Sequence, residues 1–298
     1  MIINRPNLQN LNVAFNAAFT QGLSGVAASQ WPQIATRVGS VTGTEEYGWL
    51  GKIPNVREWL GDRQIQNISS GSYRIKNRDF ELTISVARND IRDDNIGLYT
   101  PLFGTMGEST GSAYDQMLWS LLKAGFSTEC YDGQYFFDTD HPVLNAAGQP
   151  TTVANTDGGS GTPWFLIDNR RILKPLILQV REDWQFVAKD RLDDDNVFHR
   201  KEFLYGVDGR YNAGYGFWQF SWGSKQTLDA TSYANARSAV MSMKGDYERP
   251  LGLVPNLLIV PPTLETQARK ILQAENDAAG ATNINKGTAE LLVVPWLA

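Results

Sequence analysis

Residues 47–92 constrain the fold most, because they combine large apolar side chains and strand-like alternation with too few apolar residues for a core of their own. Within them, residues 73–86 place apolar side chains at alternate positions on either side of Asn77-Arg78-Asp79, a pattern typical of a β-hairpin with a polar tip. Trp49 and Trp59 precede these strands, among glycines and a proline that interrupt any helix. We therefore expect an arm that packs against a neighbouring molecule.

Tryptophan and arginine side chains are the usual anchors of protein interfaces, and this arm is rich in both. Its arginines would pair with acidic residues of a neighbouring molecule, and an aspartate run farther along the chain is one such partner. The candidate interface residues are Trp49, Arg57, Trp59, Arg63, Arg74, Arg78, Asp193, Asp194 and Asp195.

The length of 298 residues suffices for one large domain or two moderate ones, and 42% hydrophobic residues can form a sizeable core. The single cysteine, Cys130, excludes an internal disulfide and indicates a reducing compartment or a chain that needs no disulfides. The first residues do not form a signal sequence, and no stretch approaches the roughly 20 apolar residues of a membrane span. These features predict a soluble cytoplasmic protein. A formal charge of −5 argues against tight wrapping of nucleic acid.

Two helices are expected in the first half of the chain. Residues 8–20 carry apolar side chains at helical spacing, and we expect one weak helix within an otherwise extended arm over residues 1–40. A long helix is expected over residues 93–125, with Asp93 or Asp94 as its N-cap and a glycine at its end. Each glycine inside it costs about 1 kcal/mol relative to alanine, so the helix should bend near its middle.

The second half of the chain changes composition twice. Residues 126–163 are rich in Gly, Thr, Asn, Asp and Pro, which predicts a connecting surface loop. Strand-like patterns fill residues 164–230, with Asp208-Gly209 as a turn signal. Over residues 231–298 the pattern alternates helix, strand, helix and strand, which predicts a compact α/β unit.

The most enzyme-like string is Asp138-Thr139-Asp140-His141, because two carboxylates and an imidazole this close together can bind a divalent ion. The other histidine of the chain, His199, follows the aspartate run, and joining the two clusters would give a metal-dependent hydrolase site. The same string is also typical of a capped turn, and an aspartate run is usually a solvated loop. A metal-dependent hydrolase using Asp138, Asp140, His141 and His199 is the first alternative hypothesis.

The aromatic residues between Tyr211 and Trp222 support a second alternative, because aromatic rings stack against sugars or bases. Such residues more often form a core, and we expect Trp218, Phe220 and Trp222 on one face of a strand. No glycine-rich string in a strand-to-helix context and no Gly-x-Ser-x-Gly nucleophile signature is present. An aromatic-rich binding module therefore stays open as an alternative, whereas hydrolase triads are unsupported.

Several ordered strings, spread from near the amino terminus to Val294, together resemble one protein family. The strings are Tyr47-Gly48-Trp49-Leu50-Gly51-Lys52, Asp93-Asp94-Asn95-Ile96-Gly97, Cys130-Tyr131-Asp132-Gly133-Gln134, Phe136-Phe137-Asp138, His141-Pro142-Val143, Lys174-Pro175-Leu176-Ile177, Asp193-Asp194-Asp195-Asn196-Val197-Phe198 and Ala213-Gly214-Tyr215-Gly216-Phe217-Trp218-Gln219. So many strings in order are far more specific than any one motif. On these residues the chain resembles the Mu-like major head subunits of phages and prophages.

The resemblance implies an α+β fold of the Hong Kong 97 phage capsid type, with a domain order that is rearranged relative to the prototype of that fold. Its implied parts are an N-terminal arm (1–40), an extended β-hairpin loop (41–92), a spine helix (93–125), a surface loop (126–163), peripheral-domain strands (164–230) and an axial α/β domain (231–298).

The resemblance also implies a structural, non-catalytic major capsid protein that self-assembles into pentamers and hexamers of an icosahedral shell around packaged DNA. Implied partners are further copies of the chain, scaffold, protease, portal and decoration proteins, and DNA through non-specific contacts, with no membrane. The implied location is the virion, after assembly in the host cytoplasm. No cofactor, metal or catalytic residue is implied, so Asp138, Asp140 and His141 become structural residues. No covalent cross-link through Lys52 or Lys76 is expected.

Overall fold

The computed structural model of the chain describes residues 2–25, 29–50, 73–93, 95–277 and 279–298. Its α-helices are α1 (Arg5–Gly25), α2 (Arg88–Arg92), α3 (Tyr99–Ala124), α4 (Asp195–Arg200), α5 (Ala230–Met241) and α6 (Glu265–Leu272). Its strands are β1 (Ala35–Gly39), β2 (Thr44–Glu46), β3 (Arg74–Lys76), β4 (Arg78–Ala87), β5 (His141–Leu144), β6 (Pro150–Val153), β7 (Thr156–Gly159), β8 (Trp164–Ile167), β9 (Leu176–Lys189), β10 (Glu202–Tyr215), β11 (Ser221–Lys225), β12 (Lys244–Gly245), β13 (Arg249–Pro250), β14 (Leu257–Val260) and β15 (Glu290–Val293).

The N-terminal helix α1 is packed onto α3, so the expectation of an extended arm is wrong for residues 5–25. Its buried face consists of Leu8, Leu11, Phe15 and Phe19. The ring of Phe15 stacks on that of Phe103 in α3, with 4.2 Å between their centroids. The two backbones meet at glycines, because a Cβ atom on Gly107 would lie only 2.1 Å from the carbonyl oxygen of Phe19. Burial against α3 therefore stabilises a helix that its polar sequence alone would leave weak.

The long helix α3 spans 26 residues and has Gly125 as its C-cap, where the sequence predicts its end. Its start differs from the prediction: Asp93 is the C-cap of the preceding short helix α2, and a 3-10 turn over residues 95–98 follows. The N-cap of α3 is Leu98, whose side chain forms no capping hydrogen bond. Asp93 is thus not the N-cap, and Asp94 lies outside the described residues.

A four-stranded sheet with the order β1-β9-β10-β4 packs against α3 and α1. β1 runs parallel to β9, and the other two pairings are antiparallel. Asp208 and Gly209 lie inside β10 at a β-bulge, so the predicted turn at these residues is wrong. A Cβ atom on Gly209 would lie 3.0 Å from the ring of Trp184 on β9, and the glycine therefore admits this indole across the sheet.

Residues 73–86 do not form the predicted hairpin. β3 pairs antiparallel with β2, where Glu45 faces Ile75, and β4 pairs instead with β10. Only the first residue of the expected polar tip is buried: the Asn77 side chain donates to Ser40 Oγ at 2.8 Å and accepts from Gln179 Nε2 at 2.7 Å, whereas Arg78 and Asp79 are exposed. The alternation in the sequence correctly indicates strands, but the partner of each strand is distant in sequence.

A five-stranded sheet with the order β15-β14-β8-β11-β7 forms the other layer. β8 and β11 come from the segment predicted as peripheral strands, whereas β14 and β15 come from the predicted α/β unit. The boundary expected after residue 230 therefore does not separate two sheets. Within the C-terminal segment the predicted order is confirmed: α5 begins at a capping box of Asp229 and Ser232, and β14 and β15 pair in parallel.

Residues 126–163 are more ordered than a surface loop. β5 and β6 form a hairpin, and β7 joins the five-stranded sheet beside β11. Phe136, Phe137 and His141 are buried, and so is the side chain of Asn155. The surface-loop prediction is wrong here because a few buried side chains fix a segment whose average composition is polar.

Candidate functional site

The antiparallel pair of β2 and β3 forms the base of the predicted arm. The Tyr47 N–H donates to the carbonyl oxygen of Tyr73 at 2.9 Å, and Arg74 forms an exposed ion pair with Glu46 at 2.5 Å. Residues 51–72, which connect the two strands, lie outside the described residues. The pairing of β2 with β3 therefore holds Tyr47 and Tyr73 side by side.

Trp49 packs within its own subunit. Its ring centroid lies 5.8 Å from that of Tyr47 and 5.9 Å from that of Phe217, and the side chain is partly buried. Leu50 is buried as well. The beginning of the arm therefore has a core inside the chain, contrary to the expectation for residues 47–92. The other candidate anchors of the arm are Arg57, Trp59 and Arg63, which lie outside the described residues.

The predicted aspartate run lies in the loop before α4 and at its first residue. Asp194 is the N-cap residue of α4, and its Oδ2 accepts a hydrogen bond from the backbone N–H of Arg191 at 2.9 Å. Asp193 and Asp195 are exposed on either side of it. The run thus combines one residue that shapes the turn with two that present charge to solvent.

Arg78 and the aspartate run lie at opposite ends of one sheet. Arg78 is exposed at the start of β4, faces Tyr211 in the β10 ladder, and lies with its guanidinium 5.5 Å from the Phe80 ring centroid. At the other end of the same ladder Ala87 faces Glu202, which follows α4 closely. Strands rise about 3.3 Å per residue, so these ends are roughly 30 Å apart. Arg78 and the aspartates therefore cannot pair with each other within one subunit.

A groove of about 640 Å³ runs between α3 and the β4 edge of the four-stranded sheet. Its apolar lining includes Leu82, Met117, Leu121 and Trp184, and its polar lining includes Arg78. Leu82 is 38% exposed. The indole nitrogen of Trp184 is buried and has no hydrogen-bond partner among the described residues.

Glu45 organises the turn that leads into β2. Its Oε1 accepts hydrogen bonds from the backbone N–H groups of Thr42 at 2.9 Å and Val41 at 2.7 Å, and from the Ser40 hydroxyl at 2.9 Å. These bonds, the one from Thr42 first, lower the pKa of Glu45 from 4.5 to about 2. The base of the arm is therefore fixed by a carboxylate that stays ionised far into the acidic range.

The structure does not assemble the four residues of the alternative hydrolase site. His141 is fully buried and stacks on Trp218 with 3.9 Å between ring centroids, whereas His199 is exposed in the last turn of α4. The Asp138 carboxylate accepts the backbone N–H of Tyr135 at 3.2 Å, as in a capped turn. A hydrogen bond with Asp138 raises the pKa of the exposed Asp140.

The group of three metal-binding side chains within the described ranges is a different one, made of Cys130, Asp132 and His141. The sequence does not reveal this group, because no recognised metal-ligand spacing links Cys130 and Asp132 to His141. Burial raises the pKa of the Cys130 thiol. Burial also acts to raise the pKa of Asp132, but its hydrogen bonds with His141 and Cys130 outweigh it and leave the pKa lowered. Of the four residues predicted for a hydrolase site, only His141 therefore belongs to this group.

The aromatic cluster proposed as a binding surface is buried. The residues concerned are Tyr211, Tyr215, Phe217, Trp218, Phe220 and Trp222. Trp218 and Phe220 lie in a 3-10 turn, so the expected single strand face is wrong. These rings form part of the main core, and this observation disfavours a sugar-stacking or base-stacking module. Among the helices of the described residues, none has the length and apolar character to cross a bilayer.

The chain is similar in sequence to known phage head proteins over its full length. Residues 8–297 match the family model of the Mu-like prophage major head subunit gpT. The chain is 39% identical over 306 aligned positions to the major capsid protein of Escherichia phage Mu, and the alignment covers 100% of both chains.

Two solved structures of bacteriophage JBD30 extend the comparison to three dimensions. The subunit of the JBD30 procapsid superimposes with a TM-score of 0.88 at 40% identity, covering 99% of this chain and 100% of that one. The subunit of the JBD30 capsid gives a TM-score of 0.78 at 31% identity, with 92% of each chain covered. The α+β fold is therefore that of a phage capsid protein, and the chain belongs to the Mu-like prophage major head subunit gpT family, the structural proteins of the phage head shell.

Proposed function

We propose that copies of this chain close into pentamers and hexamers of an icosahedral shell that encloses packaged DNA, without a catalytic role. The observation that carries the proposal is the full-length similarity to the JBD30 procapsid subunit, which covers 99% of this chain. The proposed partners are further copies of the chain, scaffold, protease, portal and decoration proteins, and DNA through non-specific contacts. Assembly would take place in the host cytoplasm, and the product would be the virion.

The contact between neighbouring copies is proposed to be head to tail. A ring of identical subunits requires two different surfaces on each copy, which meet when the ring closes. Arg78 at one end of the β4–β10 ladder and Asp193 and Asp195 near the other provide surfaces of opposite charge. Their separation within one subunit supports pairing between subunits.

The groove between α3 and β4 is the proposed apolar part of the same contact. A neighbouring copy that covered it would bury Leu82 together with Met117 and Leu121. These side chains are already partly buried, so covering the remainder contributes for each only a fraction of the roughly 1.5–3 kcal/mol that full burial gives. The three together still exceed the contribution of one exposed ion pair, about 0–1 kcal/mol. The charges would then set the orientation of the copies, and the groove would supply most of the affinity.

Electron microscopy and sedimentation velocity of the expressed chain test the shell proposal directly. Shells or rings of the size of a pentamer or hexamer are expected, with or without the other head proteins. A uniform monomer at high concentration, in the presence and absence of those proteins, would count decisively against shell formation.

Charge reversal tests the proposed pairing separately. Arg78→Glu and Asp195→Arg should each slow assembly, and the double variant should recover part of the loss because the pair is restored with opposite polarity. Arg269→Glu on α6 is the matched control, since Arg269 forms an exposed ion pair with Glu265 of its own helix. If the double variant assembles no better than the single variants, this pairing is wrong even though shells form.

A further inference from the structure

A tight turn brings Cys130 and Asp132 together. The Cys130 N–H donates to the carbonyl oxygen of Gln134 at 2.8 Å, and Gly133 adopts a φ of 84°, which glycine tolerates best. The Cys130 Sγ lies 3.1 Å from Asp132 Oδ1, and the Nδ1 of His141, at the start of β5, lies 2.8 Å from Asp132 Oδ2. All three side chains are largely or fully buried, with Asp132 at 10% side-chain exposure.

The orientation of His141 is fixed from its other side. Its Nε2 lies 3.2 Å from Asn155 Oδ1. The same amide donates through Nδ2 to the carbonyl oxygen of Phe136 at 2.8 Å, and its Oδ1 also accepts the Asp138 N–H at 2.9 Å, so the oxygen must face the ring. Nε2 is therefore the protonated nitrogen. In the neutral ring, the lone pair of Nδ1 then faces the Asp132 carboxylate.

An imidazole nitrogen and a carboxylate oxygen only 2.8 Å apart in a buried place need a proton or a metal ion between them. A shared hydrogen bond would meet this need with a proton, and a metal ion would meet it by binding both atoms. The cysteine favours the metal, because thiolate, carboxylate and imidazole are each ligands that zinc binds in proteins. We propose that Cys130, Asp132 and His141 form a Zn²⁺ site that ties the turn at Cys130 to β5.

The geometry requires only a small adjustment. Zinc bond lengths of about 2.0–2.3 Å in a tetrahedral site separate the ligand atoms by about 3.4–3.6 Å. The donor atoms of the three side chains already lie within 4.8 Å of one another. The two short contacts to Asp132 must open by about 0.5 Å, and Cys130 Sγ and His141 Nδ1, which lie within 4.8 Å of each other, must be about 3.5 Å apart in the metal-bound site; side-chain rotation can provide both changes. On binding, the thiol releases its proton to solvent and Sγ bonds to the metal as thiolate.

The surroundings match those of a metal-bound histidine. Such a ring usually donates its second N–H to a fixed oxygen, as His141 does to Asn155. Trp218 holds the plane of the ring, with 9° between the two planes. Three protein ligands leave a fourth position for water.

Cobalt substitution in the full-length chain tests the site, because Cys130 is its single cysteine. The protein is stripped with a chelator and titrated with Co²⁺. The expected result is one equivalent bound, with a thiolate-to-cobalt charge-transfer band that Zn²⁺ displaces. Cys130→Ser should abolish the band, and Asn155→Ala should weaken binding about 10- to 100-fold while retaining it.

His199→Asn is the matched control, since it removes the other histidine of the chain and should leave the titration unchanged. Thermal unfolding with added Zn²⁺ provides a second measurement: the native chain should be stabilised and Cys130→Ser should not. Absence of the band in native protein, or its persistence in Cys130→Ser, would overturn the proposal and leave His141 and Asp132 joined by a hydrogen bond alone. Neither outcome depends on whether shells form.

Discussion

The glycine contact between α1 and α3 gives a sharp test of the packing that holds the N-terminal helix. Replacing Gly107 with alanine adds a Cβ atom that would lie 2.1 Å from the carbonyl oxygen of Phe19 and 2.6 Å from the amide nitrogen of Leu23. Both atoms belong to the backbone of α1, so relief requires that the whole helix move by about 1 Å in a close-packed interior.

Gly104→Ala in the same helix is the matched control, because a Cβ atom there meets no atom within 4 Å. Both substitutions gain about 1 kcal/mol of helix propensity, which cancels when the two variants are compared. The remaining difference is the steric cost at Gly107, about 1–3 kcal/mol for an overpacked contact. We therefore expect Gly104→Ala to be more stable than the native chain, and Gly107→Ala to be less stable than Gly104→Ala by that amount.

Urea unfolding of the unassembled subunit, followed by tryptophan fluorescence, measures this difference, and limited proteolysis reports release of α1. Gly22→Ala should repeat the destabilisation from the opposite helix, since its Cβ atom would lie 1.9 Å from the carbonyl oxygen of Gly104. Equal unfolding free energies for Gly104→Ala and Gly107→Ala would refute the close contact between the helices.

Three further substitutions probe single hydrogen-bonding groups. Asp229→Ala removes the capping box of α5, and thermal unfolding should show a loss of about 0.5–2 kcal/mol; an unchanged midpoint would contradict it. Asn155→Ala leaves buried backbone groups unpaired, so denaturant unfolding should show a loss of at least about 1–3 kcal/mol. Glu45→Gln should destabilise the subunit at neutral pH. Because the pKa of Glu45 is lowered from 4.5 to about 2, its contribution is complete above pH 4.5 and disappears as the pH falls towards 2. A difference from the native chain that is constant across this range would contradict that reasoning.

Local periodicity predicted the elements better than their partners. The helical spacing of apolar residues located α1 and α3, and the short apolar run at Leu257 located β14, because both patterns are set by neighbours in sequence. The pairing of β3 with β2 depends on residues about 30 positions away, and no local signal specifies it. The turn predicted at Asp208-Gly209 is wrong for a related reason. The same pair of residues suits a turn or a bulge, and the contact with Trp184, which is distant in sequence, favours the bulge.

The candidate sites likewise divide into features that local sequence predicts and features that depend on residues distant in sequence. The exposed charges at Arg78 and Asp195 could be identified from composition, because solvated charge needs no tertiary partner. The group of Cys130, Asp132 and His141 could not, since it depends on a turn at Gly133 and on an amide from Asn155 that fixes the ring. Sequence proximity favoured Asp138 and Asp140 as partners of His141, but their side chains face the turn and the solvent instead.

The weakness of the proposed charge pairing suits a shell built from many copies. An exposed ion pair contributes about 0–1 kcal/mol, so a single misplaced contact between two copies dissociates readily. In the proposed ring every subunit would use both ends of its β4–β10 ladder, and each further contact would form at a high effective concentration. Weak pairing at Arg78 and Asp195 would therefore allow errors to be corrected early, while the covered groove and the number of contacts would hold the finished shell. Strengthening the pair alone should then increase misassembled particles more than it increases the stability of correct ones.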